Sequence, residues 1–509
     1  MAKHATPKRS ASRRKVSPKR PRATKSMGNH AGPKRRKATA PGPASTAAGT
    51  APHSATTATA TRGSTRAGPY RAKVRAYRQG LGDCFLISLK RSQGDDYRIL
   101  IDCGVVLGTP NPATTMTKVV DDVVATTGGK VDLLLATHEH WDHLSGFIQA
   151  AESFAKLSVG EVWLAWTEDP DDALAKQLGE ERRGALTALQ MCNSALRMAN
   201  DHASGLGPPA QADIVAEMLG FFGGASGGTT KDALAKVKTM SNGRVRYCRP
   251  SDDPVHLTDP DARLYVLGPP HDEKLIRRTL PSKSSPETYG LALDGKGVMP
   301  VDVNKALASA EDDPPFGSTY TISMETARGI EFFQRRYWGM GEDAPDWRRI
   351  DIEWLDSAAE LALALDSATN NTSLVLAIEL QGGDVLLFVA DAQVGNWESW
   401  QDISWTVDGH SVTGPDLLGR TIFYKVGHHG SHNATLRQRG LEEMTNLEIA
   451  VIPVDHAMAL KKRWGRMPLE ELEAALKDKT RGQVLRSDQN PATKISNVVV
   501  DSLYFEISL

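Results

Sequence analysis

The chain has 509 residues, of which 40% are hydrophobic and 24% are charged, so it is long enough for one large core or several. Its formal net charge is zero, but the charges are unevenly distributed along the chain. Residues 1–82 contain 20 Lys or Arg and no acidic residue, which leaves 41 basic and 61 acidic residues in the remainder. The composition excludes a wholly disordered chain. The charge distribution shows a basic N-terminal segment joined to an acidic remainder.

Cysteines and apolar runs restrict the compartment. The four cysteines, Cys84, Cys103, Cys192 and Cys248, are too scattered for a disulfide framework or a four-thiolate zinc site, so we expect reduced, buried thiols. The longest apolar runs, such as residues 385–390, fall far short of the ~20 residues that a membrane span needs. The N-terminus has no apolar segment typical of a secretion signal. We therefore predict a cytoplasmic protein without a membrane partner; the sequence does not indicate a protein partner.

Residues 1–69 are rich in Ala, Thr, Pro, Gly, Lys and Arg and have almost no large aliphatic side chains. Such a segment cannot bury enough apolar surface to offset its ordering entropy, so we predict a disordered basic tail. One interpretation is an arm that holds the protein near nucleic acid through counterion release. The alternative is a solvated tail without a specific partner. Nucleic acid is the partner that we predict.

From residue 70 onward, the sequence has the patterns of strands and helices. Apolar or alternating stretches predict strands at residues 72–77, 84–89, 97–102 and 131–137, and helical spacing predicts helices at 113–126 and 144–155. Strand patterns return at residues 373–379, 385–390, 421–426, 448–453 and 497–507. Strands that alternate with helices predict an α/β architecture.

The two strand-rich halves are separated by a long stretch of different composition. Residues 171–240 have helical periodicity, and an irregular stretch follows residue 281. We therefore predict one domain over residues 70–509, interrupted by a helical insertion at about 156–262 and an irregular insertion at about 272–369.

The most informative segment is THEHWDHLSG, residues 137–146. His138 and His140 are two positions apart at the end of an apolar strand, so both imidazoles project to one side and can bind one cation. Asp142 and His143 follow the turn and can bind a second cation. Imidazole and carboxylate ligands suit Zn, Mn or Fe better than Mg or Ca. The alternative, a loop whose histidines cap a helix, explains this density of ligands poorly.

A second histidine cluster, KVGHHGSH, occupies residues 425–432 and also follows an apolar run. Together the two clusters contain six of the 14 histidines of the chain. Asp391 ends the apolar stretch 385–390. A lone aspartate after a strand is usually a turn residue, so only the nearby histidine motifs make Asp391 a candidate bridging ligand.

These motifs resemble the metallo-β-lactamase fold superfamily, in which HxHxDH precedes a strand-end Asp and a strand-end His. Within it, the chain is most similar to the hydrolase domain of the competence DNA-uptake channel family. The shared elements are GLGD (80–83), IDCG (101–104), LGPP (267–270), NTSLV (371–375), Asp391 and HHGS (428–431). The resemblance covers residues 72–155, 263–271 and 371–509 and implies a four-layer αββα sandwich. The chain has no counterpart of the channel's membrane helices, so transport is not implied.

The resemblance also implies ligands for a first metal. His138, His140 and Asp391 would bind it, with Asp391 as the bridge to a second metal. Many superfamily members have another histidine about 20 residues before the bridging aspartate, where this chain has Asn370 and Asn371. Asn371 or water is therefore expected to complete the first site, and Asn371 is also a candidate to support the metal ligands from behind.

For the second metal, the resemblance assigns Asp142, His143 and Asp391, joined by His429 or His428. The sequence does not decide between these adjacent histidines. If His429 is the ligand, His428 would be the hydrogen-bond or proton donor to the leaving oxygen. Asp102 is expected to orient a metal-bound imidazole from behind, and its alternative role is that of a turn residue.

Metal-assisted hydrolysis is the expected chemistry, because a divalent transition metal lowers the pKa of bound water to about 7. Asp142 is the predicted carboxylate that orients or deprotonates this water. We expect one or two metals, with zinc preferred and manganese as the alternative.

Three features favour nucleic acid as the substrate: the channel-type motifs, the basic tail, and Lys461, Lys462 and Arg463. The resemblance places these three side chains beside the metals, where they would bind substrate phosphates; the alternative is a solvated loop. The acidic remainder of the chain opposes binding of a long polyanion.

Our leading hypothesis is a nuclease or phosphodiesterase. The alternatives are a small-molecule (thio)ester or lactone hydrolase, with the helical insertion as a lid, and a DNA-tethered binding protein with a degenerate site.

Overall fold

The computed structural model describes residues 70–202, 215–216, 219–223, 228–282, 286–289, 326–327, 329–338, 350–462, 464 and 466–509. The predicted tail over residues 1–69, Arg463 and much of the predicted irregular insertion lie outside these residues.

Strands make up most of the framework. In chain order they are β1 (Ala72–Tyr77), β2 (Phe85–Leu89), β3 (Tyr97–Ile101), β4 (Lys130–Ala136), β5 (Ser158–Ala165), β6 (Val245–Cys248), β7 (Val255–Leu257), β8 (Ala262–Gly268), β9 (Val375–Leu380), β10 (Val385–Phe388), β11 (Ser404–Val407), β12 (His410–Thr413), β13 (Thr421–Lys425), β14 (Ile449–Ile452), β15 (Val484–Arg486), β16 (Val498–Val500) and β17 (Tyr504–Ser508). The strands predicted near residues 72, 84, 97 and 131 are present within one residue of the expected ends.

The α-helices differ in length: most are short, and Ala173–His202 and Ile350–Asn370 are the two longest. They are Pro112–Thr127, Trp141–Gln149, Ala151–Phe154, Ala173–His202, Thr230–Thr239, Glu273–Ile276, Glu331–Phe333, Ile350–Asn370, Val394–Ser399, Gly414–Gly419, His456–Lys461 and Glu470–Lys479. Gly220–Phe222 is a shorter 3₁₀ turn, and Gly427–Gly430 is a tight turn whose two histidines have positive φ. Within the described part of the chain, no helix combines the length and apolar character needed to cross a membrane.

The strands form two large sheets. The first has the order β16-β17-β1-β2-β3-β4-β5-β6, and the second has the order β15-β14-β13-β10-β9-β8-β7. Strands β3 to β6 are parallel in the first sheet, and β10, β13, β14 and β15 are parallel in the second. Strands β11 and β12 form a separate hairpin. Because the carboxyl ends of parallel neighbours lie at one edge, residues that follow β3 and β4, or β10 and β13, are brought together.

Apolar side chains divide the molecule into layers. One buried cluster lies between the sheets, where Phe85 of β2 contacts Phe388 of β10 with ring centroids 5.7 Å apart. A second cluster joins the first sheet to helix residues such as Val119, and a third joins the second sheet to residues such as Trp397. Helices therefore cover the outer face of each sheet, and the predicted four-layer αββα sandwich is confirmed.

The helical insertion expected at about 156–262 needs correction. Strands β5 and β6 extend the first sheet, and β7 joins the second, so sheet residues occupy both ends of this range. Helices Ala173–His202 and Thr230–Thr239 lie between β5 and β6. Strands β6 and β7 were not predicted because they have only four and three residues, too few for a recognisable alternation.

Three of the four cysteines have the burial expected from the sequence. All four are unpaired, with Cys84, Cys103 and Cys248 buried and Cys192 partly exposed. Burial raises the pKa of the Cys248 thiol, so it is protonated at neutral pH.

Candidate metal centre

Loops from both sheets meet at one edge of the sandwich. Asp102 follows β3, the loop at residues 137–140 follows β4, Asp391 comes shortly after β10, and His429 comes shortly after β13. Leu374, just before β9, donates its backbone N–H to the Thr137 carbonyl at 2.9 Å and so joins the two halves. Segments that are some 250 residues apart in the chain therefore contribute to one site.

Four side chains form what we call the central cluster: Asp142, His143, Asp391 and His429. One ligand atom from each lies within 4.8 Å of the others, and all four residues are at most 3% exposed. His429 Nε2 is 3.0 Å from Asp142 Oδ2, and His143 Nε2 is 3.2 Å from Asp391 Oδ2. Asp391 Oδ2 is also 3.4 Å from His429 Nε2, so this carboxylate lies between the two imidazoles.

The histidines of the central cluster are held by their outer nitrogens. His143 Nδ1 is 2.7 Å from Asp102 Oδ2, and His429 Nδ1 is 2.7 Å from the Pro453 carbonyl oxygen. Each ring therefore presents Nε2 to the carboxylates, which is the arrangement in which outer hydrogen bonds orient metal-ligating histidines.

Asp102 is itself tightly fixed. It has a left-handed backbone with φ 53° and is fully buried. Besides His143, its carboxylate accepts hydrogen bonds from the Thr137 N–H at 2.8 Å and the Thr137 hydroxyl at 2.7 Å. Asp102 thus links the end of β3, the end of β4 and the His143 ring.

His138 and His140 form a second group beside the central cluster. His138 Nε2 and His140 Nδ1 face each other at 3.2 Å. His138 Nδ1 lies 3.1 Å from the Thr137 hydroxyl and 3.3 Å from the Ser373 hydroxyl, so its outer nitrogen is also held. The two inner nitrogens are close enough to bind one cation, as the spacing in the sequence predicts.

The residue between these histidines is attached to the helical insertion. Arg182, on helix Ala173–His202, pairs with Glu139 at 2.7 Å, and the Thr230 hydroxyl donates to Glu139 at 3.0 Å. The Arg182 and Glu139 side chains are only 17% and 12% exposed. The insertion therefore contacts the histidine loop directly.

Sequence reasoning did not identify Lys425 and Asp83 as part of the site. The buried Lys425 Nζ is 2.6 Å from Asp83 Oδ2, 3.3 Å from Asp391 Oδ1 and 2.7 Å from the Ala390 carbonyl. Burial would lower the pKa of Lys425, but Asp83 and Asp391 raise it above its usual value, so the amine is charged. A lysine that ends the otherwise apolar strand TIFYK was the available signal.

The structure distinguishes the two adjacent histidines after β13. His429 faces the central cluster, whereas His428 Nε2 lies 3.3 Å from Asn370 Nδ2 and His428 Nδ1 lies 3.4 Å from Asn433 Oδ1. Both histidines have left-handed backbones, with φ 43° and 53°. Burial lowers the pKa of His428 to about 4, so its imidazole is neutral.

The position of Asn371 differs from the expectation that it would complete the first metal site. Its amide nitrogen donates to the carbonyls of Leu275 and Ile276 at 3.0 and 2.8 Å, and its Oδ1 accepts from the Asn396 N–H at 3.1 Å. All its polar atoms therefore hold neighbouring backbone, and Asn370 is the asparagine that lies beside His428.

The basic segment is only partly described. Lys461 is exposed at the end of helix His456–Lys461, the side-chain end of Lys462 lies against Gly108, and Arg463 is outside the described residues. The following Trp464 stacks on Phe221 with ring centroids 4.9 Å apart, and Phe221 lies 5.3 Å from the His140 ring. The segment therefore reaches the histidine loop through aromatic contacts.

Charges in the two groups of histidines differ. Burial lowers the pKa of His138 well below its usual value and that of His140 to about 3, so both imidazoles are neutral. Burial also lowers the pKa of His143 and His429, but the nearby carboxylates of Asp391 and Asp142 have a larger, opposite effect. As a result, the pKa of His143 is raised well above its usual value and that of His429 to about 10. Without a metal, protons on these two rings balance the carboxylates, and a cation would displace those protons.

These shifts predict how metal-free protein responds to pH. The pKa of His429 is about 10 when folded and about 6.5 when unfolded. Its stabilising contribution is therefore complete below about pH 6.5 and is lost as the pH rises towards 10. We expect the thermal midpoint of chelator-treated protein to be lower at pH 9.5 than at pH 6.5, with a smaller difference in His429→Gln. An equal or higher midpoint at pH 9.5 would contradict the charge assignment.

One comparison with known proteins gives a match over the first half of this site. The family model described as Metallo-beta-lactamase superfamily matches residues 77–186. A search of curated proteins by sequence gives no match. The matched range contains His138, His140, Asp142 and His143, whereas Asp391 and His429 lie beyond it. The superfamily match and the central cluster support a metal-dependent hydrolase that binds a divalent metal.

The donor set fits a divalent transition metal. Buried Asp142 Oδ1 has no hydrogen-bond partner, which leaves an acceptor atom available within the central cluster. Loss of the proton from the His143 ring would provide Nε2, which faces Asp391 Oδ2 at 3.2 Å, as a second. Mixed imidazole and carboxylate donors suit zinc, manganese or iron. Asp142, His143, Asp391 and His429 would hold one cation, and His138 and His140 face the position of another.

Proposed function

We propose that this protein is a metal-dependent phosphodiesterase or nuclease. The observation that carries the proposal is the central cluster, in which two carboxylates and two oriented imidazoles converge in a buried site. A bound divalent metal would supply Lewis-acid activation of water and would stabilise charge on a phosphoryl oxygen. Zinc is the metal that we propose, with manganese as the alternative.

Asp142 has the geometry of the residue that takes a proton from the attacking water. Its Oδ2 accepts a hydrogen bond from His429 at 3.0 Å, whereas its Oδ1 has no partner. The opposing effects of burial and the imidazoles of His143 and His429 leave the pKa of Asp142 below its usual value, so the carboxylate is ionised. His428 lies to one side of the cluster, where Nε2 accepts from the Asn370 amide and Nδ1–H faces Asn433 Oδ1. We propose it as the donor to the leaving oxygen, which requires its single N–H to exchange Asn433 for the substrate.

Nucleic acid is the proposed substrate class. The basic tail and Lys461 supply cationic groups, and the motifs shared with the competence DNA-uptake family point the same way. The side chains of the central cluster are at most 3% exposed, so a rigid duplex is a poor fit. A flexible single strand or a strand end is therefore the form that we expect to be cleaved.

A small-molecule (thio)ester or lactone hydrolase is the second candidate. Burial of the central cluster favours it, as do the aromatic rings of Phe221 and Phe222, which lie 5.3 and 5.1 Å from His140. These aromatic rings would exclude water around a compact apolar substrate.

A substrate panel separates these candidates. Zinc- or manganese-loaded protein is expected to cleave single-stranded DNA and bis-p-nitrophenyl phosphate faster than duplex DNA, thioesters or lactones. His143→Ala is expected to lose phosphodiester cleavage, because the ring joins Asp102 to the central cluster. The matched control is His256→Ala, since His256 is 45% exposed and pairs with Asp261 away from the site. Preferential thioester or lactone turnover would favour the second candidate, and no metal-dependent turnover of any substrate would reject both.

A further inference from the structure

Two buried polar atoms next to the histidine pair lack a partner. They are His140 Nε2 and Asp366 Oδ1, which lie 3.8 Å apart. One is a potential N–H donor and the other an acceptor, so each can satisfy the other after a shift of less than 1 Å. Phe221 and Phe222 pack against the His140 ring, but their aromatic rings cannot accept a strong hydrogen bond from His140 Nε2.

In each of the other three histidines of the centre, the ring nitrogen that points away from the metal position has a hydrogen-bond partner. His143 has Asp102, His429 has the Pro453 carbonyl, and His138 has two hydroxyls at the outer nitrogen. His140 differs because its inner atom is Nδ1, so Nε2 is the nitrogen that needs a partner.

We propose that Asp366 is a positioning residue that holds His140 with Nδ1 facing His138. The proposal rests on the metal-dependent function proposed above. A hydrogen bond from Nε2–H to Asp366 Oδ1 fixes the tautomer in which Nδ1 carries a free lone pair. Asp366 thus acts on the metal position through His140.

The location of Asp366 explains how this chain provides such a group. It lies on helix Ile350–Asn370, outside the range that matches the superfamily model. One turn later on the same helix, Asn370 Nδ2 donates to Asp366 Oδ2 at 3.3 Å, which leaves Oδ1 directed towards His140.

Metal affinity provides the test. Co²⁺ binding to wild type, Asp366→Ala and Asp366→Asn would be measured by competition with a chromophoric chelator, together with the visible spectrum of bound Co²⁺. We expect wild type to bind two ions and Asp366→Ala to bind one of them about 10- to 100-fold more weakly, with a changed spectrum. Asp366→Asn should recover much of the affinity, because an amide oxygen can accept the same hydrogen bond.

The control is Glu360→Gln, an exposed position on the same helix, which should bind both ions as wild type does. If wild type binds one or two ions and Asp366→Ala has the same affinities and spectrum, the positioning role is wrong while the central cluster of the proposed function stands. If wild type binds no ion, the proposed function itself fails. Weakened binding in Asp366→Ala that Asp366→Asn restores would support the role and exclude a merely structural one.

Discussion

Asp391→Asn is expected to abolish metal-dependent hydrolysis and to lower the affinity of the centre for zinc. The substitution keeps the shape of the side chain but removes the charge that lies 3.2 Å from His143, 3.4 Å from His429 and 3.3 Å from Lys425. Since Asp391 belongs to the ligand cluster itself, the loss should exceed the ~10- to 100-fold effect typical of an outer hydrogen-bond partner. Metal content and turnover of bis-p-nitrophenyl phosphate would measure it.

The same substitution has a matched control at Asp402, which is exposed at the end of the 3₁₀ turn Trp400–Asp402. Asp402→Asn should leave both metal content and turnover unchanged. If Asp391→Asn keeps the zinc affinity and rate of the wild type, the centre does not use this carboxylate. The assignment of Asp391 as the ligand between the two imidazoles would then be wrong.

Local sequence patterns predict well those features that depend on a few neighbouring residues. Strand β1 has the predicted ends, β2 and β3 differ by one residue at one end, and β4 differs by one residue at each end. The HxHxDH segment predicts a site at the end of β4 for the same reason, since its residues share one short loop. The later strands were visible as apolar runs, which explains why the layered architecture could be predicted.

Other features depend on contacts or backbone angles that no local pattern contains. The alternation of a strand cannot be extended to His428 and His429, because both have positive φ, so spacing could not show which ring faces Asp391. Asp366 is a charged residue on a helix, and only the folded chain shows its carboxylate at His140. Likewise, Asp83 and Lys425 are 342 positions apart and meet only because the sheets face each other.

Lys425→Met is expected to destabilise the fold by about 3–5 kcal/mol, the usual cost of breaking a buried ion pair from one side. Lys425 and Asp83 are 1% and 2% exposed, so water cannot replace the lost amine. The methionine fills the volume of the lysine stem, but the carboxylate of Asp83 loses its 2.6 Å partner and Asp391 loses one of its neighbouring cations. Urea unfolding of metal-free protein would measure the difference.

A double-mutant cycle separates charge from packing at this position. In Lys425→Met/Asp83→Asn no unpaired charge remains at Asp83, so the double variant should be less destabilised than the sum of the two single variants. Lys477→Met is the control for loss of a lysine, because Lys477 is 55% exposed and pairs with Glu473 on the same helix, where about 0.5 kcal/mol or less is expected. Additive effects in the cycle would mean that Lys425 stabilises the fold through packing of its stem, and that the charge on Asp391 is balanced by the imidazoles of His143 and His429 alone.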